Sequence, residues 1–567
     1  MNPETRICQN CKQNFVIEPE DFLFYEKIKV PPPTFCPDCR RQRRLGFVNF
    51  FNLYKRLCGL CKKEVISMYP PEIPYIVYCP SCWYSDSWDP YSYGRDYDFS
   101  RPFFEQFKEL WQSVPLLGLS VNLQTSKNSP YNNNCNSLKN CYLMFYSDYD
   151  EHCQYCFYLF NSKNCFNSAA AGFCELCFDM RNGWKNNRCV GTINTTDSLD
   201  SCFLRDSINC KDCFASANLR NAQYQIFNKQ LTKEEYTKEM KKWDLGSYSV
   251  YQEAKRRAQE HWRLFPPWPI KDSWSENISG NYVFQSRNCQ HCFEVIGAEN
   301  SKYLFMVPEG PITETYDISG WGEGMELSYE CASAGLNASR VKFCNYSEDK
   351  ISECEYCVYV NSSSNMLASI SIRRGGYTIF NKKYTKEEFF KLREKIMQHM
   401  NEAPYIDHLG NIYKYGEFFP LEISPHAYNE SIANDFFSIP GDELEKRGYR
   451  YQEPYTAEHS VTLQYADIPD HIKDAQDSIL NEVIACQICS KGFRISMQEL
   501  EFLRNMKLPL PRECPFCRIK EKFLEWTKEF QLGDRTCNKC GILFQTPYKT
   551  EKNPVVWCKS CYKEEVI

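Results

Sequence analysis

Eight Cys-x2-Cys pairs, gathered into two sets of almost identical spacing, limit what this chain can fold into more than any other feature of it. The first set is Cys8/Cys11, Cys36/Cys39, Cys58/Cys61 and Cys79/Cys82, and the second is Cys486/Cys489, Cys514/Cys517, Cys537/Cys540 and Cys558/Cys561. Successive pairs are separated by 24, 18 and 17 residues in the first set and by 24, 19 and 17 in the second. A shift of 478 positions also superposes Phe15 on Phe493, Phe24 on Phe502, Pro37 on Pro515 and Arg40 on Arg518. After one inserted residue, Arg56 falls on Arg535 and Tyr69 on Tyr548. The two ends are therefore copies of one module, whose spacing has survived while the residues between have changed.

Thiolates with two residues between them clasp one ion from a tight knuckle, and a second pair from further along closes a tetrahedral four-cysteine site. Four such sites predict about four Zn²⁺ per chain, which stabilise folding and leave no open position for substrate. Sequential pairing keeps each site on a short local loop, and interleaved pairing is the alternative. Disulfides or a thioredoxin-like redox motif fit less well, because a redox motif is one pair beside a βαβ pattern. The start Met1-Asn-Pro-Glu-Thr has no basic and apolar leader, and no apolar run reaches membrane-spanning length, so a cytoplasmic protein without a membrane segment is expected.

The stretch Cys8-Gln-Asn-Cys11-Lys-Gln-Asn-Phe15, the segment Glu20-Asp21-Phe22-Leu23-Phe24-Tyr25 and the close Cys36-Pro-Asp-Cys39-Arg resemble the zinc-ribbon, treble-clef type of small bacterial zinc-binding domain. The resemblance implies that the closing pair begins a helix, where the helix dipole favours thiolates. Its C-terminal copy keeps Cys514-Pro-Phe-Cys517-Arg518 but replaces the basic run Arg40-Arg41-Gln42-Arg43-Arg44 with Arg518-Ile519-Lys520-Glu521-Lys522. Taken whole, the chain is similar to multi-zinc-ribbon proteins of uncultured, small-genome bacteria, a family with no activity to carry over.

Between the modules the chain repeats differently. Ser-x-Asn-Cys occurs at Ser162–Cys165, Ser207–Cys210 and Ser286–Cys289, and Cys141, Cys165 and Cys189 lie 24 apart. Short aromatic, β-prone segments such as Cys156-Phe-Tyr-Leu-Phe160 alternate with Asn, Ser, Asp and Gly. Residues 130–228 and 280–382 are expected to form parallel β-helix-like coils of 21 to 24 residues, with cysteines packed inside as small apolar residues rather than as metal ligands. The centre is itself duplicated, since Arg220–Lys229 corresponds to Arg373–Lys382, and each copy runs into a capping box, Thr232-Lys-Glu-Glu235 or Thr385-Lys-Glu-Glu388. Tyr236, Met240 and Trp243, and Phe389, Ile396, Met397 and Met400, are expected to pack those helices on the coils. Phe103, Phe104, Phe107, Leu110 and Trp111 mark one more amphipathic helix, and Asp467 to Ile484 reads as another.

The expected class is mainly β with some α: duplicated four-cysteine zinc-ribbon or treble-clef modules flanking a duplicated, Cys-rich solenoid. The expected segments are 1–84 (double zinc ribbon), 85–129 (connecting helix and linker), 130–262 and 263–403 (two coil units, each with a terminal helix), 404–483 (irregular aromatic linker and helix) and 484–567 (second double zinc ribbon).

Charge divides along the same lines. Residues 6–84 hold twelve Lys and Arg against seven Asp and Glu, residues 484–563 hold fifteen against eight, and the whole chain is nevertheless at −5. Basic ends thus flank an acidic middle. Arg40, Arg41, Arg43, Arg44, Lys55 and Arg56, interleaved with Phe47, Phe50, Phe51 and Tyr54, are candidate nucleic-acid contacts, because cations meet phosphates while rings stack on bases. The bland alternative makes those rings module core and those charges a solvated helix face. No His-Glu-x2-His, P-loop or Gly-x-Ser-x-Gly motif occurs, so no catalytic residue is assigned. The leading expectation is a non-catalytic zinc-binding scaffold with a protein partner. A nucleic-acid or ribosome-associated binder comes next, and a carbohydrate-active β-helix enzyme last. The oligomeric state is left open.

Overall fold

The computed structural model describes residues 2–454 and 460–567. The chain divides into two compact units, Met1–Leu119 with Lys271–Glu453 and Ser120–Ile270 with Pro454–Ile567. Each unit therefore joins one terminal cysteine module to the coil segment that lies far from it in sequence.

In the unit that holds Ser120–Ile270 the coil is 12 residues long. Phe157 pairs with Ala169, Ala169 with Arg181, Arg181 with Ile193 and Ile193 with Arg205, all in parallel. The spacing of 24 residues seen in the sequence is two coils, not one, which corrects the expected coil length. Beneath it runs a period of three. Cys135, Leu138, Cys141, Met144, Cys153, Cys156, Leu159, Cys165, Ala171, Cys174, Cys177 and Met180 all face the core at multiples of three residues. The residue before an inward position is left-handed: Asn134, Asn140, Asn164, Asn167 and Asn209 have φ of 51–53°, and so do Ser137 and Leu143. Each coil is thus four short sides of three residues, turned at four left-handed corners.

This geometry explains the composition. Asn and Asp tolerate the left-handed region better than most residues, and stacked corners let their amides bond from coil to coil. Asn182 donates to Asn194 at 3.1 Å and Asn194 to Asp206 at 2.9 Å. Inside, a corner exposes backbone groups that a small side chain must satisfy. The Cys153 thiol donates to the carbonyls of Glu151 and Ser162 and accepts from the Cys165 amide. Ser198 does the same work, donating to the Thr196 carbonyl and accepting from the Cys210 amide. Ser-x-Asn-Cys is therefore inward residue, outward residue, left-handed corner, inward residue. Cys141, Cys153, Cys165, Cys177 and Cys189 form one stacked interior column, and all are buried.

The unit that holds Lys271–Glu453 uses the same design with less regular coils. Phe293 pairs with Phe305 twelve residues on, Phe305 with Ser319 fourteen on, Tyr316 with Tyr329 thirteen on and Ser352 with Ser364 twelve on. Its core runs from Val283 through Cys289, Cys292, Cys331, Cys344, Cys354 and Cys357 to Ile372. Gly280, at φ +129°, sits where the register of its strand shifts, and a Cβ there would meet the Cys292 carbonyl oxygen at 1.7 Å. Gly280→Ala is expected to cost this unit about 3 kcal/mol or more, from left-handed strain plus a backbone clash, measured by urea unfolding; a loss below 1 kcal/mol would mean the bulge relaxes freely.

The helices close the units. Both capping boxes form, at Thr232/Glu235 and Thr385/Glu388. Phe389, Ile396 and Met400 are buried as expected, with Met397 half-buried. The shorter helix Lys233–Met240 buries none of its residues fully, and Trp243 lies beyond its end against Phe214 and Phe227. A following helix, Tyr248–Trp262, carries the burial instead through Tyr251, Ala254, Ala258 and Trp262. Phe103–Ser113 is helical, with all five expected apolar residues buried. Residues 467–484 differ from expectation: the segment makes short 3-10 turns at Tyr465–Asp467, Ile472–Asp474 and Asp477–Asn481. Its side chains bury one turn at a time, Ile468, Ile472 and Ile479, which needs no continuous helical stripe.

Candidate metal centres and the helices they anchor

Four cysteine groups converge in sequential pairs: Cys8, Cys11, Cys36 and Cys39; Cys58, Cys61, Cys79 and Cys82; Cys486, Cys489, Cys514 and Cys517; Cys537, Cys540, Cys558 and Cys561. Within each group all four sulfurs lie within 4.8 Å of one another. Cys11 and Cys36 sulfurs are 3.7 Å apart, Cys489 and Cys514 3.8 Å, Cys486 and Cys517 3.8 Å, and Cys540 and Cys558 3.7 Å. A tetrahedral ion with bonds of about 2.3 Å to sulfur sets its ligands about 3.8 Å apart, so the thiols already stand at ligand spacing.

All four sites are built the same way. A β-hairpin carries the first pair, and the residue after its second cysteine is left-handed: Lys12, Lys62, Ser490 and Gly541. The third cysteine caps a helix, namely Pro37–Leu45, Pro80–Trp83, Pro515–Thr527 and Lys559–Val566. Its amide donates to the first cysteine's sulfur, Cys36 to Cys8 and Cys79 to Cys58 at 3.3 Å, Cys514 to Cys486 and Cys558 to Cys537 at 3.2 Å. Such amide donors favour the thiolate: burial raises the Cys58 and Cys537 thiols, but the surrounding backbone hydrogen bonds outweigh it and bring both to about 6. Four thiolate ligands fill a tetrahedral shell, and each hairpin–knuckle–helix unit fits a zinc-ribbon-like module.

The helix that closes the first site of each module, Pro37–Leu45 or Pro515–Thr527, packs on the coils. Arg40, Arg43 and Arg44 on helix Pro37–Leu45 are not on the surface; their side chains are at most 2 % exposed. Arg40 bonds Asp317 through Nε and an Nη at 3.0 and 2.8 Å. Arg43 reaches Glu330 and Glu417, both at 2.9 Å, and Arg44 reaches Asp317 at 3.0 Å and Glu330 at 3.5 Å. Burial alone would pull Arg43 down, but Glu330 and Glu417 hold it above its usual value. Three arginines thus face three carboxylates in a closed, charge-balanced cluster. Arg41, partly exposed, lies over Phe437 and pairs with Asp38. Of the remaining candidate nucleic-acid contacts, Lys55 is exposed beside Glu64, and Arg56 donates to the Pro70 carbonyl.

The second module repeats the dock on the other coil stack. Arg518, the counterpart of Arg40, bonds Asn167 and Glu499 at 2.9 and 2.7 Å and lies over Tyr155. Lys522, the counterpart of Arg44, meets Asp179 at 2.5 Å. Phe502 stacks on Phe166 at 4.2 Å as Phe24 stacks on Tyr316 at 3.9 Å. The acidic partners Asp317, Glu330, Glu417 and Asp179 were not singled out from the sequence. The one signal was the charge asymmetry itself, basic modules against an acidic middle, whose two signs meet inside each unit.

A second electrostatic contact ties the hairpin Tyr54–Leu57/Glu64–Ser67 to the aromatic segment after the coils. Tyr54 donates to Glu430, whose carboxyl burial raises from 4.5 to about 7 against the pull of Arg450. A raised carboxyl stabilises the fold below its unfolded value and loses that contribution as pH rises through 7. Glu430→Gln is expected to flatten stability between pH 5 and 8 and to melt above the parent at pH 8, with no gain at pH 4, by thermal scans across that range; a gain equal at both pH values would refute this ionisation.

No family model matches the chain, and no curated protein matches it. Among solved structures, the "putative acetyltransferase from Desulfovibrio desulfuricans G20" aligns over 51 % of this chain and 86 % of its own at 9 % identity, with a TM-score of 0.10, a likeness that carries no argument about fold or function.

Proposed function

We propose that this chain is a non-catalytic scaffold whose four cysteine sites hold structural zinc, and that it acts by presenting its coil surfaces to a protein partner. The observation that carries the reading is the repeated link from ligand to lock: the third cysteine of a closed site caps the very helix whose Arg40, Arg43 and Arg44, or Arg518 and Lys522, seat the module on a coil stack. A closed four-thiolate site polarises no substrate, and zinc favours this ligand set and spacing. All 33 cysteines are unbridged, which suits a reducing compartment such as the cytoplasm. Among the described residues no helix is long and apolar enough to cross a membrane.

The nucleic-acid reading draws less support, because Arg40, Arg43 and Arg44 already have buried carboxylate partners. The full chain titrated with single-stranded RNA and with duplex DNA at low salt separates the two. Weak binding, unchanged by Lys55→Ala, is expected. Tight, steeply salt-dependent binding would replace the scaffold reading with the nucleic-acid one.

A further inference from the structure

A polar or thiol side chain at an inward position of the Ser120–Ile270 stack meets two backbone groups of the next coil. One is the amide twelve residues on, which donates to it, and the other is the carbonyl nine residues on, which accepts from it. Asn132 accepts from the Met144 amide at 2.7 Å and donates to the Cys141 carbonyl at 3.4 Å. Asn186 accepts from the Ser198 amide at 3.0 Å and donates to the Thr195 carbonyl at 2.7 Å. The Cys153 thiol divides its bonds in the same way, between the Cys165 amide and the Ser162 carbonyl. The position asks for a donor and an acceptor in one short side chain.

Asp150 stands at such a position. Parallel bridges from Lys139 to Glu151, Glu151 to Lys163, Lys163 to Glu175 and Glu175 to Asn187 put it in one column with Ser162 and, three coils on, with Asn186. It is 1 % exposed. Its Oδ1 accepts from the Ser162 amide at 2.9 Å, as the Asn186 oxygen accepts from Ser198. Its Oδ2, the counterpart of the Asn186 Nδ2 donor, is buried and has no hydrogen-bond partner among the described residues. Lys139 and Lys163, one coil to either side, pair instead with Glu151 on the outer side of the stack, where His152 meets Asn140. The titratable groups that act on Asp150 from within are acids: the thiols of Cys135, Cys141, Cys153, Cys156 and Cys165 and the carboxyl of Asp148. Burial first, and these neighbours second, push its carboxyl well above the ordinary aspartate range, against the pull of the Ser162 amide.

We infer that Asp150 is a carboxylic acid in the folded chain, a proton-bearing equivalent of the inward asparagines, and that this proton latches the coil stack against rising pH. By the register of Asn132 and Asn186, its hydroxyl donates to the Leu159 carbonyl. A carboxylate could take the Ser162 amide, but its second oxygen would turn charge toward a carbonyl and thiols with no cation opposite it among the described residues. The unfolded chain releases this proton at about pH 4. The folded chain holds it to a higher pH, so folding takes up one proton and stability falls as pH rises between the two values. Above the folded value the charge reaches water only by parting the coils at Asp150 and Ser162.

The test is urea unfolding of the full zinc-loaded chain at pH 5, 6 and 7, with Asp150→Asn beside the parent. The folding equilibrium of the variant should gain on that of the parent by about tenfold per pH unit. Glu430 lies in the other unit and is common to both samples, so its titration cancels. Asp150→Ser, carrying the side chain that Ser162 and Ser198 place in the same column, should show the same growth and serves if the asparagine variant misfolds. A second measurement needs no substitution. Infrared spectra of the native chain labelled with carbon-13 at its aspartate carboxyls should show a carboxylic acid C=O band at pH 7, shifted by deuterium and absent from Asp150→Asn. Carboxylate bands alone at pH 7, or a folding ratio that stays constant with pH in the variants, would overturn the inference.

Discussion

Cys39→Ser is expected to remove one metal ion per chain and to release the first module from its coil stack. Structural zinc in four-thiolate sites contributes on the order of 10 kcal/mol of binding energy, much of which is folding energy. In this chain the effect spreads, because Cys36 caps helix Pro37–Leu45 and that helix carries the three buried arginines. The site would lose the ion, the knuckle its anchor and the Arg cluster its alignment. The control lies in the coil: Cys165→Ser, at an inward position where serine makes equivalent bonds elsewhere in the same stack, should cost about 1 kcal/mol and leave the metal count unchanged. Metal analysis and urea unfolding of both variants decide the matter. Equal losses would mean that terminal and central cysteines do the same job, against the division drawn here.

Glu330→Gln should destabilise the unit that holds it by about 3–5 kcal/mol, because it leaves Arg43 and Arg44 buried without enough negative charge. Breaking a buried pair costs far more than replacing it whole. Arg43→Met with Glu330→Leu should therefore recover a large part of the loss, a coupling that a double-mutant cycle measures directly. Additive single effects would show that the two side chains do not depend on each other.

Much of this architecture was legible from the sequence, for reasons that differ by region. The four-cysteine groups were readable because ligand chemistry ties spacing to geometry: Cys8/Cys11 and Cys36/Cys39 meet on one local loop, and no distant residue is needed to bring the four thiols together. The solenoid was readable as a class through Ser-x-Asn-Cys, but its coil length was not. Cys141, Cys153, Cys165, Cys177 and Cys189 do stand twelve residues apart in one column, but Cys135, Cys156 and Cys174 belong to other inward columns, and their intervening spacings mask the twelve-residue period. Left-handed corners every three residues, held by side chains as unlike as Asn134, Leu143 and Tyr155, leave a pattern that Asn alone does not reveal.

The arginine cluster was the least legible part. Arg40 and Asp317 lie 277 residues apart, and nothing local to Arg40-Arg41-Gln42-Arg43-Arg44 distinguishes a phosphate-binding helix from one that plugs into an acidic coil. The duplicated dock makes the distinction afterwards. Arg40 became Arg518 and Arg44 became Lys522, while Arg43 became Glu521, and the opposing side lost its extra carboxylate where Asn167 takes the place of Asp317 opposite the first arginine. Charge on the helix and charge on the coil changed together within one chain, as an internal contact requires.

The most direct test of the account is the zinc content of the native, full-length chain after exhaustive dialysis without chelator. About four ions per chain are predicted, one for each closed four-cysteine site. None or one would contradict structural metal at the termini, and seven or more would contradict the assignment of the coil cysteines to packing.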